Sequence, residues 1–143
     1  MSDSNLQAGR ARLVRLLHLR RLSWDPDIGK FRSNEGTTAD AIEKCFNDPL
    51  ERVEGGGDWR GTRTGRIYDD CSPPPTQFFD VQFDKWRASL ISHATAKVGV
   101  NIVTVDLRFR NLNPEQIDRI AAAAAALPRD ARKKVWLLLN DEG

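Results

Sequence analysis

Two apolar periods alternate along this chain, and each predicts a different kind of element. The cleanest run is N-I-V-T-V-D-L from Asn101 to Leu107, where β-branched residues dominate without Gly or Pro, as in a strand. Asn113 and Pro114 then occupy an N-cap and a first helical position, and Gln116 stands three residues after the cap, as a capping box requires. That helix runs to Leu127, where Pro128 closes it. Val135 to Leu139 (V-W-L-L-L) is wholly apolar, which suits a strand covered on both faces. Strand, helix and strand of these lengths predict a βαβ unit. Strands 101–107 and 135–139 are parallel neighbours in it, and helix 114–127 crosses one sheet face in the right-handed sense. The alternative is an antiparallel pair with the helix packed elsewhere.

Upstream, Leu13, Leu16, Leu17 and Leu22 mark one side of a helix over residues 8–22, with Arg12, Arg15 and Arg20 at its flanks. Trp24 to Gly29 (W-D-P-D-I-G) reads as a turn-rich joint. A second helix opens at Thr37 or Thr38, passes through Ala39, Ile42, Glu43 and Phe46, and ends before Pro49; Glu35 lies at its mouth, and Glu43 reads as a solvated charge beside Lys44. Leu50 to Val53 suits a short strand, Gly55-Gly56-Gly57-Asp58 a turn, and Gly65 to Asp70 a strand ending in two carboxylates. After Pro73-Pro74-Pro75, the alternation of Phe79, Val81 and Phe83 against Phe78, Asp80 and Gln82 predicts a strand over 77–83, hairpinned to the preceding one. A helix follows to Lys97, with Trp86, Leu90, Ile91 and Ala94 inward and Ser89, His93 and Lys97 in a polar row. The whole predicts an α/β fold: a mixed central sheet flanked by helices over residues 29–143, behind a basic helical arm over 1–28.

Composition narrows the class. With 143 residues there is room for one domain, and 40% hydrophobic with 29% charged residues does not suggest disorder. The net charge of +2 is too small for a general polycation, so its distribution matters more: five arginines lie between residues 8 and 24, while many acids gather between Asp40 and Asp84. Such a split suits an enzyme of nucleic acids that holds metal, although a solvated basic face explains the arginines equally well. Cys45 and Cys71 form no CxxC, which excludes a thiolate zinc site but leaves a disulfide open. No stretch reaches spanning length and arginines interrupt the first leucines, so export would need a larger carrier or a signal outside this segment.

The candidate chemistry rests on acids at element ends. Glu35 at a helix mouth, Asp69 at a strand end and Asp80 on the neighbouring strand would converge from distant positions to hold a divalent metal that neutralises charge on phosphoryl oxygens. Lys97, or less directly Lys85, would orient water or a phosphate oxygen. His93 leaves acid–base cleavage of RNA open. No Gly-x-Ser-x-Gly is present, and the three glycines at 55–57 lack the Lys-Ser/Thr of a phosphate loop.

The runs G-K-F-R-S-N-E-G-T-T-A-D-A-I-E-K from Gly29, D-W at Asp58, G-R-I-Y-D at Gly65, the Pro-rich F-F-D segment, S-L-I-S-H-A-T-A-K and N-I-V-T-V-D-L together resemble the C-terminal toxin domains of bacterial contact-dependent inhibition and related polymorphic toxins. The resemblance spans roughly Gly29 to Leu139. It implies a restriction-endonuclease-like fold with a PD-(D/E)xK-type site, cleavage of tRNA or DNA in a competitor's cytoplasm, delivery as part of a larger toxin, and a cognate immunity protein. By place in the motif it makes Glu35, Asp69 and Asp80 ligands of a divalent metal, Mg²⁺ first and Mn²⁺ or Zn²⁺ as alternatives. Lys97 becomes the basic residue and His93 a substrate contact, while Arg12, Arg15 and Arg20 are expected to hold nucleic acid. The chain departs from the pattern at Asp80-Val81-Gln82, where Glu-x-Lys belongs, so the lysine must come from elsewhere. Two other functions remain: a non-catalytic binding module of the same fold, and a metal-independent RNase using His93.

Overall fold

A 20-residue helix, α1 (Asp3–Leu22), opens the chain, and a two-residue antiparallel pair, β1 (Trp24–Asp25) with β2 (Lys30–Phe31), leads into α2 (Ser33–Phe46). Three short strands follow, β3 (Leu50–Arg52), β4 (Trp59–Gly61) and β5 (Ile67–Asp70), then the long helix α3 (Thr76–Thr95). The chain continues through β6 (Ile102–Asp106), α4 (Pro114–Ala125), the single turn α5 (Arg129–Arg132) and β7 (Val135–Leu138). This computed structural model describes residues 3–25, 29–53 and 57–139. Residues 26–28 of the Trp24 to Gly29 joint, which include the proposed boundary at residue 28, and two of the three consecutive glycines lie outside them.

One mixed sheet in the order β3-β4-β5-β6-β7 organises the molecule. Its first two pairings are antiparallel, and its last two are parallel. The predicted βαβ unit is therefore present: Val103 pairs with Val135 and Asp106 with Leu138, and α4 packs on the sheet between them. Its N-terminus is the expected capping box, with Asn113 accepting from Gln116 N at 2.8 Å and Gln116 Oε1 accepting from Asn113 N at 3.0 Å. The same Gln116 oxygen takes the Thr76 hydroxyl at 2.8 Å, which ties the start of α3 to the start of α4.

Helices cover both faces. On one, Phe79, Phe83, Trp86 and Leu90 of α3 and Ile120 and Ala123 of α4 bury Val103 and Val105. On the other, Leu22 of α1 and Ala39 and Ile42 of α2 bury Leu50, Trp59, Tyr68, Ile102 and Leu138. Every residue of β6 is accordingly buried, as a central parallel strand requires.

Three expectations change. Residues 77–83 are not a strand but the first turns of α3, and the antiparallel neighbour of β5 is β4. The helical period extends backward from Leu90 through Trp86, Phe83 and Phe79, all buried, and this longer pattern overrides the local alternation. Val81, inward in a strand, is 90% exposed. Second, α1 is docked on the domain. Leu22 enters the core, Arg15 pairs with Asp40 and Glu43, and a Cβ on Gly36 would strike Ser23 Oγ, so the two helices meet closely there. Third, Glu43 is buried: it accepts from Leu50 N at 2.6 Å and lies 2.8 Å from His18 Nε2. Cys45 and Cys71 are both free, so no disulfide joins them. No helix among the described residues is long and apolar enough to cross a membrane.

Candidate active site

Where β5 ends, strand alternation splits its last residues between two environments. Tyr68 enters the core under α1 and α2 and donates its hydroxyl to Asp48 at 2.7 Å. Asp69 turns the other way and is almost wholly buried. Its Oδ2 accepts Lys97 Nζ at 2.9 Å and the Nδ1 side of His93, and Lys97 Nζ lies 3.4 Å from that same nitrogen. His93 is in the last turn of α3 and Lys97 just beyond it, four residues on, so one helix end delivers both to one carboxylate. The polar row read from sequence is thus a site wall: Ser89, His93 and Lys97 all line one open cleft of about 620 Å³, and Lys85 lines it too.

Glu35, Asp58, Asp70 and Arg110 line it as well. Asp58 was not a candidate from sequence. It immediately precedes β4, accepts from Asp70 N at 2.8 Å, and its carboxyl hydrogen-bonds that of Asp69. Burial, then that bond and the charge of Asp69, push the Asp58 carboxyl up to about 8. Burial pulls Asp69 the same way, but bonds from His93, Asp58 and Lys97 outweigh it and hold Asp69 below the usual carboxylate range. The two acids therefore titrate together, and the pair keeps one proton well above the usual carboxylate range.

A second cation, also missed, faces the pair from the other side. Arg52 of β3 donates to Glu35 Oε2 at 2.9 Å and to Leu22 O at 3.2 Å, with Asp58 Oδ1 at 3.7 Å and Asp25 at 3.9 Å. Its side chain is 14% exposed. Burial raises the Glu35 carboxyl, and Arg52 offsets part of that rise. Lys97 and His93 therefore flank the acid pair on the Asp69 side, and Arg52 and Glu35 flank it on the Asp58 side. Cys71, at the cleft edge, is no nucleophile, because burial pushes its thiol up to about 12.

Four of the five expected catalytic residues, Glu35, Asp69, His93 and Lys97, thus share one cleft. Asp80 does not join them. Because its segment is helical, its carboxylate is 76% exposed and pairs with Arg119 of α4 at 2.8 Å. Nor do the arginines of α1 line the cleft. Arg15 is bound to α2, Arg20 stacks 4.2 Å from the Phe31 ring centroid, and Arg12 is exposed.

The expected metal cage of Glu35, Asp69 and Asp80 is not assembled, and among the described residues no three His, Cys, Asp or Glu side chains form a ready cluster of ligands. A smaller donor set fits. Mg²⁺ keeps several waters and binds through one or two carboxylates plus substrate phosphate. Asp58 and Asp69 form such a pair, crowded enough to retain a proton that a cation would replace.

No family model matches the sequence. A curated relative, "tRNA nuclease CdiA" of Burkholderia pseudomallei, is 28% identical over 127 residues, which covers 80% of this chain and 9% of that protein. The chain thus spans a small fraction of its relative's length. A solved structure, the "CdiA-CT toxin from Burkholderia pseudomallei E479 in complex with cognate CdiI immunity protein", is similar with a TM-score of 0.63 and 25% identity over 76% of this chain and all of that one. Likeness of sequence and likeness of fold fall on the same kind of protein, and they place this chain among the relatives of the CdiA C-terminal toxin domain.

Proposed function

We propose that this chain is a nuclease toxin that cleaves phosphodiester bonds in RNA, with tRNA the first substrate to test. The observation that carries the reading is Asp69, buried at a strand end and gripped by His93 and Lys97 in a cleft that also holds Asp58 and Glu35. Its likeness to a protein named a tRNA nuclease supports RNA over DNA. The mixed sheet, with an acid at the end of its third strand and a glutamate in the helix before it, also supports a restriction-endonuclease-like assignment.

In this mechanism Asp58 and Asp69 would hold a divalent ion, Mg²⁺ first and Mn²⁺ or Zn²⁺ as alternatives. When bound, the ion would neutralise charge developing on the phosphoryl oxygens. Lys97 spends one donor on Asp69 and retains others for a phosphate oxygen or the attacking water. Arg110, on the cleft wall, offers a planar guanidinium to the flanking phosphate. Glu35 and Arg52 fix the far side of the acid pair. Water adds to phosphorus and gives up a proton to solvent, the P–O bond to the leaving sugar oxygen breaks, and that oxygen takes a proton from solvent in return.

A second reading has its own observation: a histidine whose Nδ1 faces a buried carboxylate is arranged as a general base, and it would cleave RNA without metal. Incubation with tRNA, duplex DNA and single-stranded DNA, each with Mg²⁺, Mn²⁺, Zn²⁺ or chelator, separates the two. Cleavage of tRNA abolished by chelator is expected. Chelator-resistant cleavage lost in His93→Ala selects the second reading, and a folded protein that cuts none of the three defeats both.

Such an enzyme needs a partner in the cell that makes it. The related toxin was solved with its immunity protein, and we assign this chain a small acidic partner whose carboxylates mimic phosphate at Lys97, Lys85 and Arg110. Delivery as the C-terminal part of a larger toxin into a target cytoplasm belongs to the same proposal. Growth arrest on expression, relieved by co-expressing the neighbouring gene's product, is its test.

A further inference from the structure

The loop after β6 carries an unusual side chain. Phe109 is 74% exposed and sits at φ 61°, a left-handed backbone conformation that bulky residues rarely adopt. The loop is pinned on both sides of it: Leu107 N donates to Leu138 O at 3.0 Å, and Thr76 N donates to Arg110 O at 2.9 Å. Arg108 is held by Asp106 through Nε and Nη2, both at 2.9 Å. The fold therefore imposes the strained conformation and spends it on holding a large apolar ring in water.

The ring's neighbours suggest what it serves. The Arg108 guanidinium lies 5.3 Å from its centroid, and most of the ring surface remains open. Phe109 lines a cavity of about 230 Å³ beside the main cleft, and Arg110 lines both. Arg110 gives its Nε to the carbonyl of Asp106 at 2.7 Å and forms no ion pair among the described residues, so its charge is available to a phosphate. An open aromatic face next to a guanidinium that forms no ion pair among the described residues, one residue from the cleft wall, matches the two parts of a nucleotide: a base to stack and a phosphate to pair.

The geometry points to Phe109 as a specificity residue that stacks an unpaired nucleobase beside the scissile phosphate. This inference rests on the RNA-cleaving reading above. It assigns the substrate class more narrowly, as RNA whose cleavage site lies in a loop or single strand, because bases inside a duplex expose no face.

The test uses Asp69→Asn protein, so that RNA is bound and not cut, with a hairpin RNA carrying 2-aminopurine in its loop. Binding should quench the fluorophore. Adding Phe109→Gly, which suits the left-handed backbone and so preserves the fold, should abolish the quench and weaken binding about tenfold. Phe109→Tyr should restore both, and a fully paired duplex should bind equally with or without the ring. Unchanged affinity and quench in Phe109→Gly, while the otherwise wild-type enzyme still cuts RNA, overturns this assignment alone and hands the ring to a protein partner. Failure of the parent proteins to bind or cut RNA overturns the nuclease reading and this inference with it.

Discussion

Changing Asp58 to Asn separates two jobs that a carboxyl beside Asp69 can perform. In the folded protein Asp58 is the acid of the pair that burial and Asp69 push up to about 8, and it accepts Asp70 N at 2.8 Å. Asn reproduces both bonds, because its NH₂ donates to Asp69 and its oxygen accepts from Asp70. If Asp58 only fixes Asp69, the substitution changes little. If Asp58 and Asp69 together hold a cation, Asn removes the carboxylate that the cation would bind in place of the proton, and cleavage should fall by about 10²–10³, the scale of losing one strong transition-state interaction. Stability should change by no more than about 1 kcal/mol. Its pH dependence should change more. A carboxyl raised to about 8 in the fold, against about 3.9 unfolded, contributes stability that is full below about pH 4 and is lost as pH climbs toward about 8. Asp58→Asn should remove that slope. Gel-resolved tRNA cleavage across a Mg²⁺ titration and thermal melts from pH 4 to 9 measure both effects. Near-wild-type cleavage at every Mg²⁺ concentration would refute Asp58 as a ligand.

Asp69→Asn, which keeps size and removes the charge gripped by His93 and Lys97, should lower cleavage at least about a hundredfold while the fold survives; near-wild-type rates would exclude Asp69 as essential. Asp80→Asn should leave cleavage within about twofold and stability within about 0.5 kcal/mol, because the carboxylate lies outside the cleft on an exposed pair with Arg119. Phe79→Ala should cost about 3–5 kcal/mol in denaturant unfolding and Val81→Ala less than about 0.5, whereas a strand over 77–83 would make both costly. Asp48→Ala should cost about 3 kcal/mol by the same measurement, since it strips Tyr68 of a charge-assisted buried bond and leaves Arg63 N and Thr64 N without their acceptor. Burial raises the Asp48 carboxyl, but its hydrogen bonds hold it below the ordinary range. Its contribution is therefore present above about pH 4 and lost as pH falls further.

The parts of the fold legible in sequence are those where local and tertiary preferences agree. At β6, α4 and β7, β-branched residues, an Asn-Pro-x-Gln cap and an apolar final run each specify the element that forms. Residues 77–83 failed because two periods coexist there. Phe79 and Phe83 satisfy a period of two and also a period of four, and only the continuation through Trp86, Leu90 and Ala94 decides between them. A sequence signal existed: Thr76 follows three prolines, a helix-initiating context, and the predicted helix needed only to be extended backward over it. The strand β4 was obscured for another reason. Its three residues, Trp-Arg-Gly, are too few to show alternation, and they gain definition only from pairing with β3 and β5.

The site divides along the same line, and the division explains why the acid pair escaped notice. His93 and Lys97 were legible because they lie four apart on one helix end, and Asp69 because it closes a strand. Asp58 and Arg52 depend on tertiary pairing alone. Asp58 stands beside Asp69 because its N–H donates to Tyr68 O at 3.0 Å at the β4–β5 border, and Arg52 reaches Glu35 because β3 pairs with β4 in the register Arg52 to Trp59. No linear spacing encodes either. Yet these two residues set the electrostatics. Without Arg52, Glu35 would be a buried acid with no cation bonded to it, and removal of such a partner costs several kcal/mol. Arg52→Met should therefore destabilise the fold by about 3 kcal/mol at neutral pH, and less at pH 4, where Glu35, raised by burial, takes up its proton and needs no counter-charge. Adding Glu35→Gln to Arg52→Met should recover part of the loss. A double variant no more stable than Arg52→Met, measured by urea unfolding at both pH values, would show that Arg52 acts through packing on Trp59 and not through charge.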